Sequence, residues 1–163
     1  MESELLALLD SAKPNRDKLD ELINALEAAA SIDLSDAHQQ QQLEGVWELR
    51  WSSSKQPYLQ VQPWLENLQI LDPVRKRGAN ILRLRGPLRA MGGVFVQADL
   101  DVINSTRVEV CFRRGGLIGP RFPGIGQVSL LRDVRQIFPA WLDMTVLDSQ
   151  LRICRGNAGT NFA

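Results

Sequence analysis

Near the start of the chain the apolar residues recur with a helical period. Over residues 16–30 they follow the spacing i, i+3, i+4 and i+7, through Leu19, Leu22, Ile23 and Leu26. This stripe predicts a helix over 16–30, and a shorter helix over 4–10 is predicted to end before Lys13 and Pro14. The polar face of the longer helix is mainly acidic, so we expect its stripe to dock on the rest of the protein rather than on an anionic membrane.

Beyond a polar linker at 31–36 the apolar period changes from 3.6 to 2, and the glutamine-rich segment 39–42 between them is interpreted as a helix end or solvated linker. Trp47, Leu49 and Trp51 fall on one face of the first predicted strand. Further strands are predicted at 67–71, 79–85, 94–103, 107–113, 127–131, 142–147, 150–155 and 160–162. Many short strands without helices between them favour an antiparallel sandwich or closed barrel. We therefore predict a mainly β fold, with a helical segment over 1–42 packed on a β-barrel domain over 43–163.

The stretch GGLIGPRFPGIG at 115–126 is rich in glycine and proline and has no clean strand period, so it is predicted to be a loop. Two interpretations remain open for its large apolar residues. The segment is either buried irregularly against the body, or it is a lid over the barrel mouth that inserts shallowly into lipid beside nearby arginines. The candidate contact residues are Leu117, Ile118, Arg121 and Phe122.

The composition is that of an ordinary soluble domain, with 163 residues, 44% hydrophobic and 23% charged. Its zero net charge is unevenly distributed: residues 1–70 hold 12 acidic and 5 basic side chains, and residues 71–135 hold 5 acidic and 12 basic ones. The basic region could meet an acidic-surface partner, anionic lipid or nucleic acid, or the acidic helices could cover it within the same molecule. Nucleic acid is disfavoured because the chain has one tyrosine and no recognisable nucleic-acid motif.

The N-terminal residues do not read as a secretory signal or a transit peptide, and no apolar run approaches the roughly 20 residues of a membrane span. We therefore expect a reducing compartment and, at most, peripheral contact with membranes. Cys111 and Cys154 lie within apolar strand patterns and are predicted to be buried thiols.

Residues that would support catalysis are few. His38 is the only histidine, the two cysteines are far apart, and no phosphate-binding motif is present, so neither a metal nor a cofactor is predicted. Asp143 and Asp148 could form an acid/base pair, but hairpin hydrogen bonding or an ion pair with Arg152 is the favoured interpretation. The sequence therefore predicts a protein that is not an enzyme.

Two stretches together resemble the plastid-lipid-associated proteins, also called plastid fibrillins: LEGVWELRWSSS at 43–54 and WLDMTVLDSQLRICRGNAGTNF at 141–162. The segment FVQADLDVINSTRVEVCF at 95–112 fits the middle of that family. The residues that carry the family motif at the end of the chain are Asp143, Thr145, Asp148, Arg152, Arg155 and Gly156.

This resemblance implies a lipocalin-like barrel that handles lipids, carotenoids or quinones at thylakoids or lipid droplets of photosynthetic cells, without shared enzyme chemistry. Absence of a transit peptide suits a cyanobacterial member, in the cytoplasm or at thylakoids, and a mature plant protein of the stroma, thylakoid or plastoglobule would look the same. The alternatives are a module that organises photosynthetic proteins and, third, a chromophore-handling lyase on a related barrel.

Gly45-Val46-Trp47 also resembles the Gly-x-Trp start of lipocalin barrels, where an arginine or lysine near the last strand packs across the aromatic ring. If Leu151 and Ile153 point inward, period 2 sends Arg155 inward too, onto Trp47. A barrel-closing pair is favoured over a direct ligand contact. Candidate cavity residues, which could equally be packed core, are Trp47, Trp51, Phe95, Phe112 and Phe138.

Overall fold

A computed structural model describes residues 1–11, 14–55, 59–135, 140–157 and 161–163. The helices of the described residues that come first are α1, Glu2–Leu9; α2, Arg16–Ala29; and α3, Ala37–Leu43. The strands that follow in the described part of the chain are β1, Gly45–Glu48; β2, Leu65–Asp72; β3, Arg77–Leu84; β4, Gly93–Val102; β5, Arg107–Phe122; β6, Gly126–Asp133; β7, Ala140–Leu147; β8, Arg152–Gly156; and β9, Asn161–Phe162. A 3₁₀ helix, Gly86–Met91, joins β3 to β4. Among the described residues, no helix is both long and apolar enough to cross a membrane.

The strands form one antiparallel sheet that curls into a nearly closed barrel. Their order is β1-β2-β3-β4-β5-β7-β8-β9, and β6 pairs with the far half of β5. The two ends of the sheet meet just after β1, where the N–H groups of Arg50 and Trp51 both donate to the Ala163 carbonyl oxygen at 2.9 Å. An isolated bridge between Ser52 and Phe162 adds to this contact. The predicted mainly β barrel with N-terminal helices is confirmed.

The length of β5 opens the barrel at one end. Residues 107–110 pair with β7, whereas residues 114–122 pair with β6, and β6 has no second neighbour in the described part of the sheet. The β5–β6 hairpin therefore extends beyond the closed part of the barrel. We call this end the mouth, and the opposite end, where α3 and the β4–β5 turn lie, the closed end.

The prediction of a loop over 115–126 is wrong. The chain continues as β5 to Phe122, turns over residues 123–125 and returns as β6 from Gly126. Gly116 was interpreted as a loop residue, but it lies within β5 where two backbones pack closely. A Cβ at Gly116 would lie 2.0 Å from the Leu130 carbonyl oxygen on β6. Glycine within a strand often marks such an approach rather than a break.

The glutamine-rich segment is the end of a helix, one of the two predicted alternatives, because residues 39–42 lie in the C-terminal part of α3. The Asp36 side chain begins this helix by accepting a hydrogen bond from the His38 N–H at 3.2 Å. Its last residue, Leu43, is fully buried beneath the barrel. Tertiary burial of one leucine thus anchors a helix whose sequence is otherwise polar.

Both faces of β7 and β8 are buried, one inside the barrel and one beneath the helices. The inner cluster consists of Leu34, Leu43, Leu71, Ala98, Leu100, Val108, Val110, Met144 and Cys154. The outer cluster joins the apolar stripes of α1 and α2 to the sheet through Leu5, Leu9, Leu19, Leu22, Ile23, Trp51, Val146, Leu151 and Ile153. A period-2 pattern in β8 therefore reports two buried faces and does not say which of them is the barrel interior.

Candidate functional site

An apolar row crosses the inner face of the sheet near the mouth. Strand register places Leu82 opposite Val94, Val94 opposite Leu117, and Leu117 opposite Leu130. Along β4, Val94 lies on the same face as the buried Ala98 and Leu100, because alternate residues share a face. The row is therefore a continuation of the barrel interior toward solvent, and we call it the apolar row.

The apolar row forms the floor of an open groove of about 590 Å³. The rest of its lining is also mainly apolar and includes Leu65, Leu84, Met91, Ile118 and Val128. Three row residues are strongly exposed for the inner face of a barrel: Val94 at 42%, Leu117 at 59% and Leu130 at 63%. Contiguous exposed apolar surface of this kind marks binding sites in soluble proteins.

Glycines at the rim let two backbones approach at the mouth. Gly92 follows the 3₁₀ helix with a φ of 111°, and a Cβ there would lie 2.0 Å from the Ile118 carbonyl oxygen on β5. A side chain at this position would meet both backbone strain and a clash. The contact holds the 3₁₀ helix, with its exposed Met91, against the hairpin at the edge of the groove.

The tip of the hairpin exposes further apolar side chains. Ile125 in the turn is 81% exposed and Phe122 at the end of β5 is 47% exposed. Arg121 lies beside Phe122, and within the described residues neither it nor Arg89 of the 3₁₀ helix nor Arg132 of β6 forms an ion pair. The mouth thus combines an apolar tip with cations that have no carboxylate partner there.

Much of the remaining basic region is paired within the barrel. Arg83 bonds Glu66 at 2.7 Å, Arg113 bonds Asp99 at 2.6 Å, and Lys76 bonds Asp101 at 2.6 Å. The ion pairs between the acidic helices and the barrel instead use Arg50 and Arg155. Among the described ion pairs, none joins an acidic helix to residues 71–135, so the explanation that those helices neutralise the basic region is not supported by the contacts.

One row deeper than the apolar row, the inner face becomes polar. Trp47 lies opposite Gln69, Gln69 opposite Asn80, and Asn80 opposite Val96. The Trp47 indole donates Nε1–H to the Leu43 carbonyl oxygen at 3.0 Å, which fixes the ring against the end of α3. We call Trp47, Gln69 and Asn80, together with the Arg152 side chain described next, the polar layer.

Arg152 enters the polar layer from β8. Its guanidinium carbon lies 5.2 Å from the centre of the Trp47 ring, and its Nη2 donates to Gln69 Oε1. Its Nη1 is enclosed and, within the described residues, has no hydrogen-bond partner. Burial lowers the pKa of the guanidinium, but an arginine starts from so high a value that it keeps its charge.

The predicted inward position of Arg155 on Trp47 is wrong. Arg155 lies on the outer face, where its Nε donates to Glu27 of α2 at 3.0 Å, and its side chain is 45% exposed. Leu151 and Ile153 share that face because the helices bury it. The even-numbered residues of β8 point inward instead, so Arg152 makes the contact that was predicted for Arg155.

Of the predicted cavity residues, Trp47 and Phe112 pack against the inner cluster. Trp51 belongs to the outer cluster, contrary to its predicted shared face with Trp47. The N–H groups of Arg50 and Trp51 share one acceptor, so this segment holds one extra residue opposite its partner, as in a β-bulge. The extra residue shifts the alternation and turns the Trp51 side chain to the outer face. Phe95 lies on the outer face, between Val94 and Val96 of the inner face. Phe138 lies outside the described residues.

Most family-motif residues bind neighbouring elements. Arg107 donates to both carboxylate oxygens of Asp143, at 2.6 and 2.8 Å, and these bonds hold the Asp143 pKa below its usual value despite partial burial. Asp143 therefore pairs with Arg107, and the predicted ion pair with Arg152 is wrong. Asp148 accepts from the N–H groups of Gln150 and Leu151 in the β7–β8 turn, at 2.7 and 2.8 Å, so its predicted hairpin role is confirmed.

Thr145 and Gly156 complete the motif. The Thr145 hydroxyl donates to the Ile153 carbonyl oxygen at 3.2 Å. At Gly156 a Cβ would lie 3.1 Å from the Phe162 ring, so the glycine makes room for the aromatic residue of β9. Both contacts serve the packing of β7, β8 and β9.

The groups able to bind metals or act as nucleophiles are dispersed. Cys154 is buried as predicted, and burial raises the pKa of its thiol, whereas Cys111 is only half-buried. His38 is exposed on α3. Within the described residues, no group of three or more His, Cys, Asp or Glu side chains could hold a metal ion.

Sequence reasoning missed Leu82, Val94, Leu130 and Gln69 as site residues. All four lie in predicted strands, so their alternation was readable, but the inner face and the register between strands were not. Ile118 was predicted as a contact residue in a loop. It borders the groove, but from strand β5.

Comparison with known proteins gives one family. The family model PAP_fibrillin matches residues 6–163, nearly the whole chain. No curated protein and no solved structure matches the chain.

Proposed function

Since the chain belongs to the PAP_fibrillin family, we propose that it is a non-enzymatic carrier or scaffold for apolar ligands at photosynthetic membranes or lipid droplets. The observation that carries this proposal is the apolar row, where Val94, Leu117 and Leu130 are exposed on the inner face at the mouth. Lipids, carotenoids and quinones all present hydrocarbon surface that would cover it. Covering about 100 Å² of apolar surface is worth roughly 2.5 kcal/mol before the costs of binding.

The mouth also suits delivery of such a ligand from a membrane. Phe122 and Ile125 protrude at the hairpin tip, next to Arg121. Apolar side chains can enter the head-group region while an arginine meets anionic lipid, which contributes roughly 1 kcal/mol for each cation near the surface. The groove would then face the source of its ligand.

A non-catalytic role agrees with the state of the polar groups. Asp143 is engaged by Arg107 and Asp148 by backbone N–H groups of its turn, so neither carboxylate is placed as an acid or base toward the groove. The groove itself is lined by apolar side chains, glycines and Arg83, and Arg83 bonds Glu66. Binding is the chemistry that this lining supports.

Two sets of substitutions separate ligand binding from membrane contact. Combined replacement of Val94, Leu117 and Leu130 by Ser should abolish fluorescence enhancement of a neutral apolar probe such as pyrene, because it removes the floor of the groove. Combined replacement of Phe122 and Ile125 by Ser should instead reduce co-flotation with phosphatidylglycerol vesicles. Added salt should weaken flotation of the unmodified protein, because it screens the arginines.

Val74→Ser is the matched control, since Val74 is 73% exposed in the β2–β3 turn, away from the groove lining. It should change neither probe binding nor flotation. Thermal melting should be nearly unchanged in all variants, because the replaced side chains are exposed. Probe binding by the groove variant equal to that of the unmodified protein would contradict the proposal, and a large melting loss would identify the apolar row as ordinary core.

A further inference from the structure

The Arg152 guanidinium carries a buried charge whose hydrogen bonding is incomplete. Gln69 accepts from Nη2, and Trp47 offers the face of its ring, but both partners are neutral. Nη1 is enclosed, and the described residues provide no acceptor for it. A buried cation with an unused donor is costly unless an anion completes its environment.

The residue that binds Arg152, Gln69, lies one row below the apolar row. Gln69, which holds Arg152, is followed toward the mouth by the pair Asn67 and Leu82, and Leu82 begins the apolar row. Residues two apart along a strand are separated by roughly 7 Å. A molecule lying on the apolar row would therefore have to extend its polar end about one row toward the closed end, past Asn67 and Leu82, to meet the guanidinium.

We propose that the ligand is an amphiphile with a single carboxylate, which pairs with Arg152 while its hydrocarbon chain lies along the apolar row. One charge is specified because the polar layer supplies one cation, and Gln69 and Asn80 are neutral. A planar carboxylate also matches the two N–H directions of a guanidinium edge. This inference rests on the proposed function, since it names the class of ligand for the same groove.

The experiment compares cis-parinaric acid with its methyl ester, which share a fluorescent hydrocarbon chain and differ in charge. The unmodified protein is expected to bind the acid at least about tenfold more tightly at pH 8, because a charge-assisted hydrogen bond is strengthened away from water. Arg152→Gln should remove this preference while leaving ester binding in place. Arg155→Gln is the matched control, as it removes an arginine from the same strand on the outer face, and it should keep the preference.

The outcomes separate the two proposals. Equal binding of acid and ester by the unmodified protein would overturn the carboxylate inference and leave the apolar carrier standing. Absence of binding by either probe would overturn both. A preference for the acid that persists in a folded Arg152→Gln protein would overturn the assignment to Arg152.

A second measurement needs no substitution and decides the matter if Arg152→Gln fails to fold. The ¹³C resonance of carboxyl-labelled palmitate bound to the unmodified protein is followed by NMR as the pH is lowered. A carboxylate paired with the guanidinium should titrate at least one pH unit below palmitate in detergent micelles. Titration at the micellar pH would place the head group in solvent at the mouth and overturn the inference.

Discussion

Trp47 connects three elements through one side chain. It lies on β1, donates its indole N–H to the last residue of α3 at 3.0 Å, and provides the face on which Arg152 of β8 lies. Removing the ring would expose the guanidinium and leave a Leu43 carbonyl without this donor. The two side chains are therefore expected to depend on each other energetically.

A double-mutant cycle tests this dependence. Trp47→Ala and Arg152→Met are each expected to destabilise the protein by about 2–4 kcal/mol, since each disturbs a buried polar contact or leaves a void. Their coupling, from urea unfolding of the single and double variants, should be about 0.5–3 kcal/mol. The control cycle pairs Trp47 with Arg155 and should be additive within about 0.5 kcal/mol; equal coupling in both cycles would argue against the contact.

Gly92 gives a second prediction at this scale. Gly92→Ala should cost more than Gly124→Ala, because both backbones have positive φ, but only at Gly92 does the new Cβ meet another atom, at 2.0 Å. Strain alone costs roughly 1–2 kcal/mol, and the clash should add at least about 1 kcal/mol. Thermal melting of both variants checks this, and similar losses would show that the 3₁₀ helix moves away from β5 without cost.

At the scale of elements, α2 is held on the outer face by apolar packing and one ionic contact. Its stripe packs against Val146, Leu151 and Ile153. Glu27, 12% exposed, accepts two hydrogen bonds from Arg155 at the same surface. Burial alone would raise the pKa of Glu27, but the hydrogen bonds from Arg155 outweigh it and hold the pKa below its ordinary value.

This contact should make helix docking sensitive to acid. A folded-state pKa below the unfolded one means that Glu27 stabilises the protein at neutral pH and loses this contribution as the pH falls through the ordinary glutamate range to the lower folded value. Glu27→Gln should cost about 1 kcal/mol at pH 7, a modest figure because Arg155 is half exposed. The difference in free energy of unfolding between Glu27→Gln and the unmodified protein, measured with urea, should shrink as the pH is lowered. A difference that stays constant with pH would show that packing, not charge, is responsible.

At the scale of the whole molecule, three backbone hydrogen bonds between Ala163 and residues 50–51 join the two ends of the sheet within the described residues. The Ala163 carbonyl oxygen accepts from two N–H groups, and β9 contributes two residues to the sheet. This junction between the two ends of the sheet, which we call the seam, lies beside the outer cluster, against which Ala163 packs. The mouth, by contrast, is open because β6 extends past the closed part.

Deleting residues 161–163 should therefore open the seam without removing the groove. Hydrogen exchange at Arg50 and Trp51 should become rapid, since these amides lose their acceptor, while amides of β4 paired to β5 should stay protected. Loss of protection throughout the sheet would show that closure is required for the barrel as a whole. Deleting Met1–Ser3, which leaves the seam intact, is the control.

The sequence alone determined the local structure of this protein. Periods of 3.6 and 2 located α1, α2 and nearly all the strands, because backbone geometry repeats at those periods whatever the surroundings. The closing motif indicated the family, and the turn role of Asp148 followed from local hydrogen bonding.

Only the tertiary structure decided which residues form the candidate site. Arg152 and Arg155 lie on opposite faces of β8. Because the helices bury the outer face, both faces carry apolar residues, and the sequence does not show which face is the barrel interior. The apolar row depends on register between four strands, and the turn of Trp51 to the outer face depends on two N–H groups sharing one acceptor. Alternation specifies which residues share a face, but contacts between distant segments specify where that face points.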